Sequence, residues 1–246
     1  MPERYIINTI GPDEDAIIIA IQKTFELCIA FEHNSVILYI PGLNNLRGAI
    51  GNVLGSNVIK RLSKDKYIVY NQMEITLKTE HIEILEWTED IVLSIYPTKR
   101  MFDSINNLNR ARAIVVVPWN EREKEKWIRT WNPEVIGGEE AEVEPLELNP
   151  ILENALNALT NRINLSTGLT HSSDKESAIT LLRILQANQV PLDPNKIKIW
   201  ALRNGWTSEG ANDLQEIAQG VLEGKRYRTS GRTIWSDKYI NGLLGR

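Results

Sequence analysis

One pattern occurs twice in residues 90–133, "DIVLSIYPTKRMFDSINNLNRARAIVVVPWNEREKEKWIRTWNP". Each half begins with a run of aliphatic, mostly β-branched residues, passes through a proline and ends in a stretch with helical periodicity. A short apolar run of this kind is typical of a strand buried on both faces, as in parallel sheets covered by helices. We therefore predict two strand-helix units here, with Thr98 and Asn120 as the N-caps of their helices.

The chain before residue 90 extends this pattern. Residues 4–34 predict a strand, a Gly-Pro turn and a helix with acidic residues at its start, and residues 35–40 predict a second strand. A further helix, capped by Asn44 or Asn45, is expected next, and residues 66–87 have strand periodicity typical of a hairpin or a meander. Strands that alternate with helices indicate a Rossmann-like or flavodoxin-like α/β domain with a mostly parallel sheet.

Charge is distributed unevenly along the 246 residues, whose net charge is −4. Counted from the sequence, residues 1–138 carry −2, residues 139–149 carry −5 and residues 150–246 carry +3. The acidic segment contains a proline and has no apolar periodicity, which is typical of a linker. We predict an α/β domain at 1–138, an acidic linker at 139–149 and a second domain at 150–246.

The second domain is predicted to be all-α. Its apolar residues recur at helical spacing in four segments and a short fifth one. Ser172 or Ser173 is the expected cap of the second helix, and Asp193 followed by Pro194 is a favourable start for the third.

The run "AITLLRILQANQVPLDPNKIKIWALRNGWTSEGANDLQEIAQGVLEGKRY", residues 178–227, together with Tyr239, resembles a small bacterial helical family of unknown function. Members of that family have a helix, a Val-Pro turn, a helix that ends in Gly-Trp, and a further helix that ends before Gly-x-Arg. The resemblance covers about 65 residues. It implies a helical fold and no particular chemistry.

Ligands of open α/β sheets bind at the carboxyl ends of the strands. At these ends we predict an anion site, for a phosphate or a carboxylate, formed by Thr98, Lys99, Arg100 and Arg47. The alternative is that Lys99 and Arg100 point to solvent or pair with Asp13, Glu14 or Asp103.

Standard nucleotide and metal motifs are missing from the sequence. It has no phosphate loop and no G-x-G-x-x-G after the first strand, and close packing explains Gly48, Gly51 and Gly55 within the predicted helix. The three histidines lie far apart, so no metal site is expected, and no cofactor follows from the residues. Cys28, the only cysteine, is expected in the core.

The C-terminal tail combines cations with aromatic residues, which suggests an alternative function in binding nucleic acid. The residues concerned are Lys225, Arg226, Arg228, Arg232 and Trp235. We favour the other interpretation, in which Trp235 and Tyr239 pack back on the helices and the cations lie over the acidic linker or a neighbouring domain face.

We therefore expect a two-domain cytoplasmic protein, not associated with membranes, because its longest apolar run is too short to span one. The expected role is binding or accessory, with a phosphate-containing small molecule on the α/β domain and a protein partner on the helical domain. Whether the protein is an enzyme stays open. The catalytic alternative is a nucleotide- or phosphate-dependent hydrolase or transferase with Lys99 and Arg100 as electrophiles.

Overall fold

The computed structural model describes residues 1–70, 72–138, 145–230 and 234–245. The chain divides into two compact units, Met1–Glu144 and Pro145–Arg246. Residues 139–144, most of the predicted acidic linker, lie outside the described residues, and the predicted domain limits stay predictions. The predicted fold class is confirmed, because a mostly parallel sheet with helices is followed by a helical region.

The first unit consists of seven strands, five α-helices and one 3-10 helix among its described residues. In chain order they are β1 (Glu3–Ile7), α1 (Glu14–Ala30), β2 (Ser35–Ile40), a 3-10 helix (Leu43–Leu46), α2 (Ala49–Leu54), α3 (Ser56–Asp65), β3 (Tyr67–Tyr70), β4 (Met73–Thr79), β5 (Ile91–Ile95), α4 (Lys99–Asn106), β6 (Ala113–Val117), α5 (Glu121–Trp131) and β7 (Glu134–Ile136).

The strands form one sheet in the order β3-β4-β2-β5-β6-β1-β7. All pairs are parallel except β3 with β4, which form a hairpin, one of the two arrangements predicted for this segment. The first strand of the chain lies between β6 and β7, whereas the Rossmann order 3-2-1-4-5-6 has it at the centre. The short edge strand β7 was not predicted, because three residues are too few to show a period.

Helices cover both faces of the sheet, which explains why β5 and β6 are apolar at nearly every position. One face carries residues such as Leu38, Leu93 and Val115, which pack with buried residues of α1, α2 and α3. On the other face, the guanidinium carbon of Arg4 lies 3.5 Å from the ring centroid of Trp131 in α5. The indole N–H groups of Trp127 and Trp131 both donate to Asn106 Oδ1, at 3.2 and 2.7 Å, which joins α5 to α4.

The helix predicted after β2 is wrong in its extent. A 3-10 helix comes first, and Gly48 and Gly55 adopt positive φ angles of 74° and 80°, which divide the remainder into α2 and α3. These glycines therefore interrupt helices and do not lie within one. Gly51 alone fits the close-packing explanation, because a Cβ there would meet the carbonyl oxygen of Leu46.

Every regular element described in the second unit is a helix, as predicted. Its helices are α6 (Pro150–Arg162), α7 (Ser172–Ala187), α8 (Pro194–Arg203), α9 (Ser208–Leu222) and α10 (Asp237–Leu243). Asp193 caps α8 as expected, with Oδ1 accepting from the amides of Asn195 and Lys196. The predicted serine cap of α7 is wrong, since His171 occupies that position and makes no side-chain cap bond.

Close contacts fix the core of this helical unit. The indole of Trp206 is fully buried and donates to Thr160 Oγ1 at 2.9 Å. Gly168, with φ 56°, packs against the backbone of Gly210 in the first turn of α9, so a Cβ at either position would crowd the other. In the described parts of the chain, no helix combines the length and apolar character required to cross a membrane.

Candidate functional site

The carboxyl edge of the sheet contains one point at which the chain connections diverge. After β2 the chain proceeds to β3 and β4 on one side, whereas after β5 it proceeds to β6 on the other, although β2 and β5 are neighbours. A crevice outside such a pair of strands is the usual ligand position in open α/β sheets. The two loops that flank it contain Arg47, which follows the 3-10 helix, and Thr98, which precedes α4.

The first turn of α4 holds three of the predicted anion-site residues. Thr98 caps the helix, because its Oγ1 accepts from the amide of Met101 at 3.3 Å. The same hydroxyl donates to Glu80 Oε1 at 3.0 Å. Thus a carboxylate from the end of β4 already lies at this helix start, where the backbone dipoles favour negative charge.

Both cations of this turn have partners. Lys99 Nζ pairs with Asp103 Oδ2 at 2.9 Å, one helical turn away, as the alternative interpretation proposed. Arg100 NH1 lies 3.4 Å from His81 Nδ1. Both cations are exposed, and an exposed pair contributes little to stability, so either side chain can be redirected toward a ligand at small cost.

Arg47 is exposed at the end of the 3-10 helix. Among the described residues, its guanidinium makes no hydrogen bond or ion pair, and none joins it to Thr98, Lys99 or Arg100. The structure therefore brings Thr98, Lys99 and Arg100 together on one helical turn and leaves Arg47 separate on the loop after β2. The assignment of all four to an anion site stays a prediction.

Two aromatic side chains at this edge were missed by the sequence analysis. Tyr96 directly follows β5 and has a positive φ of 57°, which is uncommon for a residue with a side chain. Its hydroxyl oxygen accepts from the amide of Asp13, at 3.1 Å. Trp119 follows β6, stands edge-on to the Tyr96 ring at 5.1 Å between centroids, and is 47% exposed. The available signal was an aromatic residue beside proline after each strand, "YP" at 96–97 and "PW" at 118–119.

The start of α1 completes this part of the edge. The hydroxyl of Thr9 donates to Asp13 Oδ2 at 2.7 Å, and Asp13 Oδ1 accepts from the amide of Ala16 at 3.0 Å. These two bonds lower the pKa of Asp13, and burial raises the pKa of Tyr96. At neutral pH the carboxylate is therefore ionised, and the phenol keeps its proton.

The other two histidines each lie beside one polar side chain. His33 lies 3.6 Å from Asp90, and His171 lies 2.8 Å from Ser173 Oγ. Within the described ranges, no group of three or more His, Cys, Asp or Glu side chains is placed to hold a metal ion. Cys28 is in the core as predicted, and burial raises the pKa of its thiol.

The predicted nucleic-acid-binding residues of the basic tail are not all exposed. Lys225, Arg226 and Arg228 are exposed, and Arg232 lies outside the described residues. Trp235 is 8% exposed, and its indole N–H donates to the carbonyl of Ser177 at 3.0 Å. In this arrangement the Trp235 ring is covered by protein, so it is not available to stack on a base.

Comparison with known proteins identifies the second half of the chain only. A family model described as a domain of unknown function, DUF1889, matches residues 148–244. The predicted resemblance of the helical region to a family of unknown function is thereby confirmed, and the N-terminal half has no family match. No curated protein and no solved structure matches the chain.

Proposed function

We propose that the protein binds a small anionic ligand of the nucleotide type, and that it is a binding or accessory protein. The ligand would occupy the carboxyl edge of the sheet between β2 and β5, in the manner of Rossmann-like domains. The observation that carries this proposal is the divergence of the chain between these strands, with Arg47 on one flanking loop and Thr98 to Arg100 on the other.

Trp119 supports the nucleotide-like part of the proposal. It is half exposed at the end of β6, next to β5, and Tyr96 holds it edge-on. A base or another flat ring can stack on such an indole, while its phosphate lies at the first turn of α4. The protonated hydroxyl of Tyr96 is a further donor at the same edge.

Glu80 is the internal competitor of such a ligand. Its carboxylate accepts from Thr98 Oγ1, at the position where an anion would gain most from the helix start. An arriving phosphate must therefore displace or tolerate this charge. Replacing Glu80 by Gln keeps an acceptor for Thr98 and removes the repulsion, so this variant is expected to bind anions more tightly.

The test is calorimetry and thermal shift of the full chain against nucleotides, dinucleotides, sugar phosphates and inorganic phosphate, because a ligand that prefers the folded state raises the melting temperature. We expect a hit that the double variant Lys99→Ala, Arg100→Ala weakens at least tenfold and Glu80→Gln strengthens. Lys60→Ala, Arg61→Ala removes an equivalent exposed pair from α3 and is the matched control. Equal affinity of the wild type and the Lys99, Arg100 double variant would contradict the proposed site.

The same variants decide the catalytic alternative. If a nucleotide that binds is also turned over, phosphate release would identify a hydrolase or transferase, and the Lys99, Arg100 double variant should abolish it. The nucleic-acid alternative needs a different design, since truncation of the tail would remove Trp235 from its contact with Ser177. Charge variants at Lys225, Arg226 and Arg228 leave this contact intact and should reduce salt-sensitive oligonucleotide binding only if that alternative holds.

The accessory part of the proposal assigns a protein partner to the helical unit. A polar groove between α8 and α9 supports it, since Gln215 donates to Asn195 at 2.8 Å and both amides line the groove with Gln219. Such amides offer donors and acceptors to a peptide backbone. A photo-crosslinker at Gln215 should capture a partner that one at exposed Glu153 of α6 does not.

The cellular setting belongs to the same proposal. A single buried cysteine supports a reducing compartment, and we place the protein in the bacterial cytoplasm.

A further inference from the structure

A pocket of about 250 Å³ lies on the face of the sheet that α1, α2 and α3 cover. Its floor is formed by side chains of β2, β3, β4 and β5, and its walls by α1 on one side and by α2 and α3 on the other. The pocket is separate from the anion site, because none of Arg47, Thr98, Lys99 and Arg100 lines it.

The break at Gly55 explains the open space. α1 packs against α2, which has only six residues, and the chain then turns at Gly55 so that α3 packs on β3 at the edge of the sheet. The sheet between α1 and α3 is therefore incompletely covered. Apolar residues from both sides of this gap, such as Ile21, Val53 and Val58, stay only half-buried although they face the core cluster.

The chemistry of the lining is apolar. Of the described residues that line the pocket, Gln22, Thr24 and Tyr70 carry the polar side-chain groups, and no charged side chain is among them. The Thr24 hydroxyl is already used, because it donates to the carbonyl of Ala20 at 2.7 Å. An ionised group inside the pocket would find no counter-charge, so a suitable ligand is neutral there.

The pocket is larger than an ordinary packing gap. Protein interiors contain few voids larger than a water molecule, and an apolar cavity of about 150 Å³ is large enough to bind benzene. The pocket here is larger, and its rim carries the stacked pair Phe25 and Tyr70, with ring centroids 6.3 Å apart. A flat ring or a chain entering between α1 and α3 would meet aromatic surface first.

We propose that the α/β unit binds a neutral, mainly hydrocarbon small molecule in this pocket, of about two to three aromatic rings or a medium-length aliphatic chain. Its apolar part would lie against the floor of the sheet, and Gln22 and the Tyr70 hydroxyl are the lining groups that can hydrogen-bond a neutral polar end. This site is additional to the anion site and does not depend on it.

The test uses two fluorescent probes with the same pair of ring systems. N-phenyl-1-naphthylamine is neutral, whereas anilinonaphthalene sulfonate carries a sulfonate. We expect the full chain to bind the neutral probe saturably with one site, and to bind the sulfonate at least tenfold more weakly. Methyl resonances of Ile21 and Ile75 should shift on addition of the neutral probe, and those of Ile105 and Ile114, which do not line the pocket, should not.

Substitutions then locate the site. Val53→Phe and, separately, Ile75→Phe fill the pocket and should each weaken the neutral probe at least tenfold without loss of the folded state. Val69→Phe introduces the same change from Val to Phe at an exposed position of β3, so this control should bind the neutral probe as the wild type does. Absence of saturable binding, or unchanged affinity in both filled variants, would overturn the proposal. Loss of neutral-probe binding as the chain dimerises would also overturn the proposal, because a second copy of the chain would then be the natural occupant of the pocket.

The possible outcomes distinguish the pocket from the anion site. Loss of the neutral probe in Val53→Phe with normal anion binding supports the pocket alone, and loss of anion binding in the Lys99, Arg100 double variant leaves the pocket unaffected.

Discussion

Replacement of Trp235 by Ala distinguishes a structural tail from a nucleic-acid-binding one. The indole is 8% exposed, its N–H donates to the Ser177 carbonyl at 3.0 Å, and the rings of Trp235 and Tyr239 are 5.3 Å apart. The guanidinium carbon of Arg162 lies 5.3 Å from the centroid of the same ring. Truncation of a buried Trp lowers the free energy of unfolding by about 3–5 kcal/mol, and this range already includes the lost cation-π contact. Trp235→Phe keeps most of the apolar contact and should cost about 1–2 kcal/mol.

Hydrogen exchange with mass spectrometry on the full chain measures this effect in the helical unit separately. A loss of about 3–5 kcal/mol corresponds to exchange that is about a hundredfold to several thousandfold faster in peptides of α6 and α7. Peptides of β5 and β6 in the other unit are the internal reference. Trp87→Ala is the control substitution, because this side chain is 64% exposed. Unchanged protection in Trp235→Ala, together with lost oligonucleotide binding, would refute the packing argument and favour a stacking role.

Three further predictions concern stability. Gly51→Ala should lower the free energy of unfolding in urea by about 1–3 kcal/mol, because the new Cβ meets the Leu46 carbonyl. Gly242→Ala is the control: its Cβ has open space, so this helical substitution should raise the free energy of unfolding by up to about 1 kcal/mol. Arg4→Met should raise the melting temperature, since Nε and Nη2 of this buried guanidinium have no hydrogen-bond partner among the described residues and burial lowers its pKa to about 9. Asp13 has a lowered folded pKa, so its contribution is present at neutral pH and is lost as the pH falls below about 4; Asp13→Asn should remove that part of the acid sensitivity.

The sequence was sufficient for elements whose signals are local. Thr98 and Asn120 cap their helices as predicted, because a cap is a bond between residues three positions apart. Two strands in the region of β3 and β4 were also predicted, as a hairpin or a meander, because strand alternation is likewise a local pattern. The interruption of the helix at Gly48 and Gly55 was not, since the sequence alone does not show which glycines of a helical stretch take a positive φ.

The candidate site depended on strand order, which local patterns do not contain. Glu80 reaches Thr98 because β4, β2 and β5 are consecutive neighbours in the sheet, and Tyr96 meets Trp119 because β5 pairs with β6. The sequence therefore predicted the cations at the start of α4 and included Asp103 among three possible partners for them, but it predicted neither Glu80 beside them nor the aromatic pair. The apolar pocket likewise depends on how far apart α1 and α3 lie.

The two outer strands of the sheet determine how it meets other molecules. β7 has three residues, between Pro133 and the pair Gly137 and Gly138, and β3 has four and runs against its neighbour. An unpaired strand edge is a template for intermolecular strand addition, and short edges offer few amide and carbonyl groups for it. Despite a centre made almost entirely of Ile, Val and Leu, the sheet therefore presents little backbone on which fibrous aggregation could start.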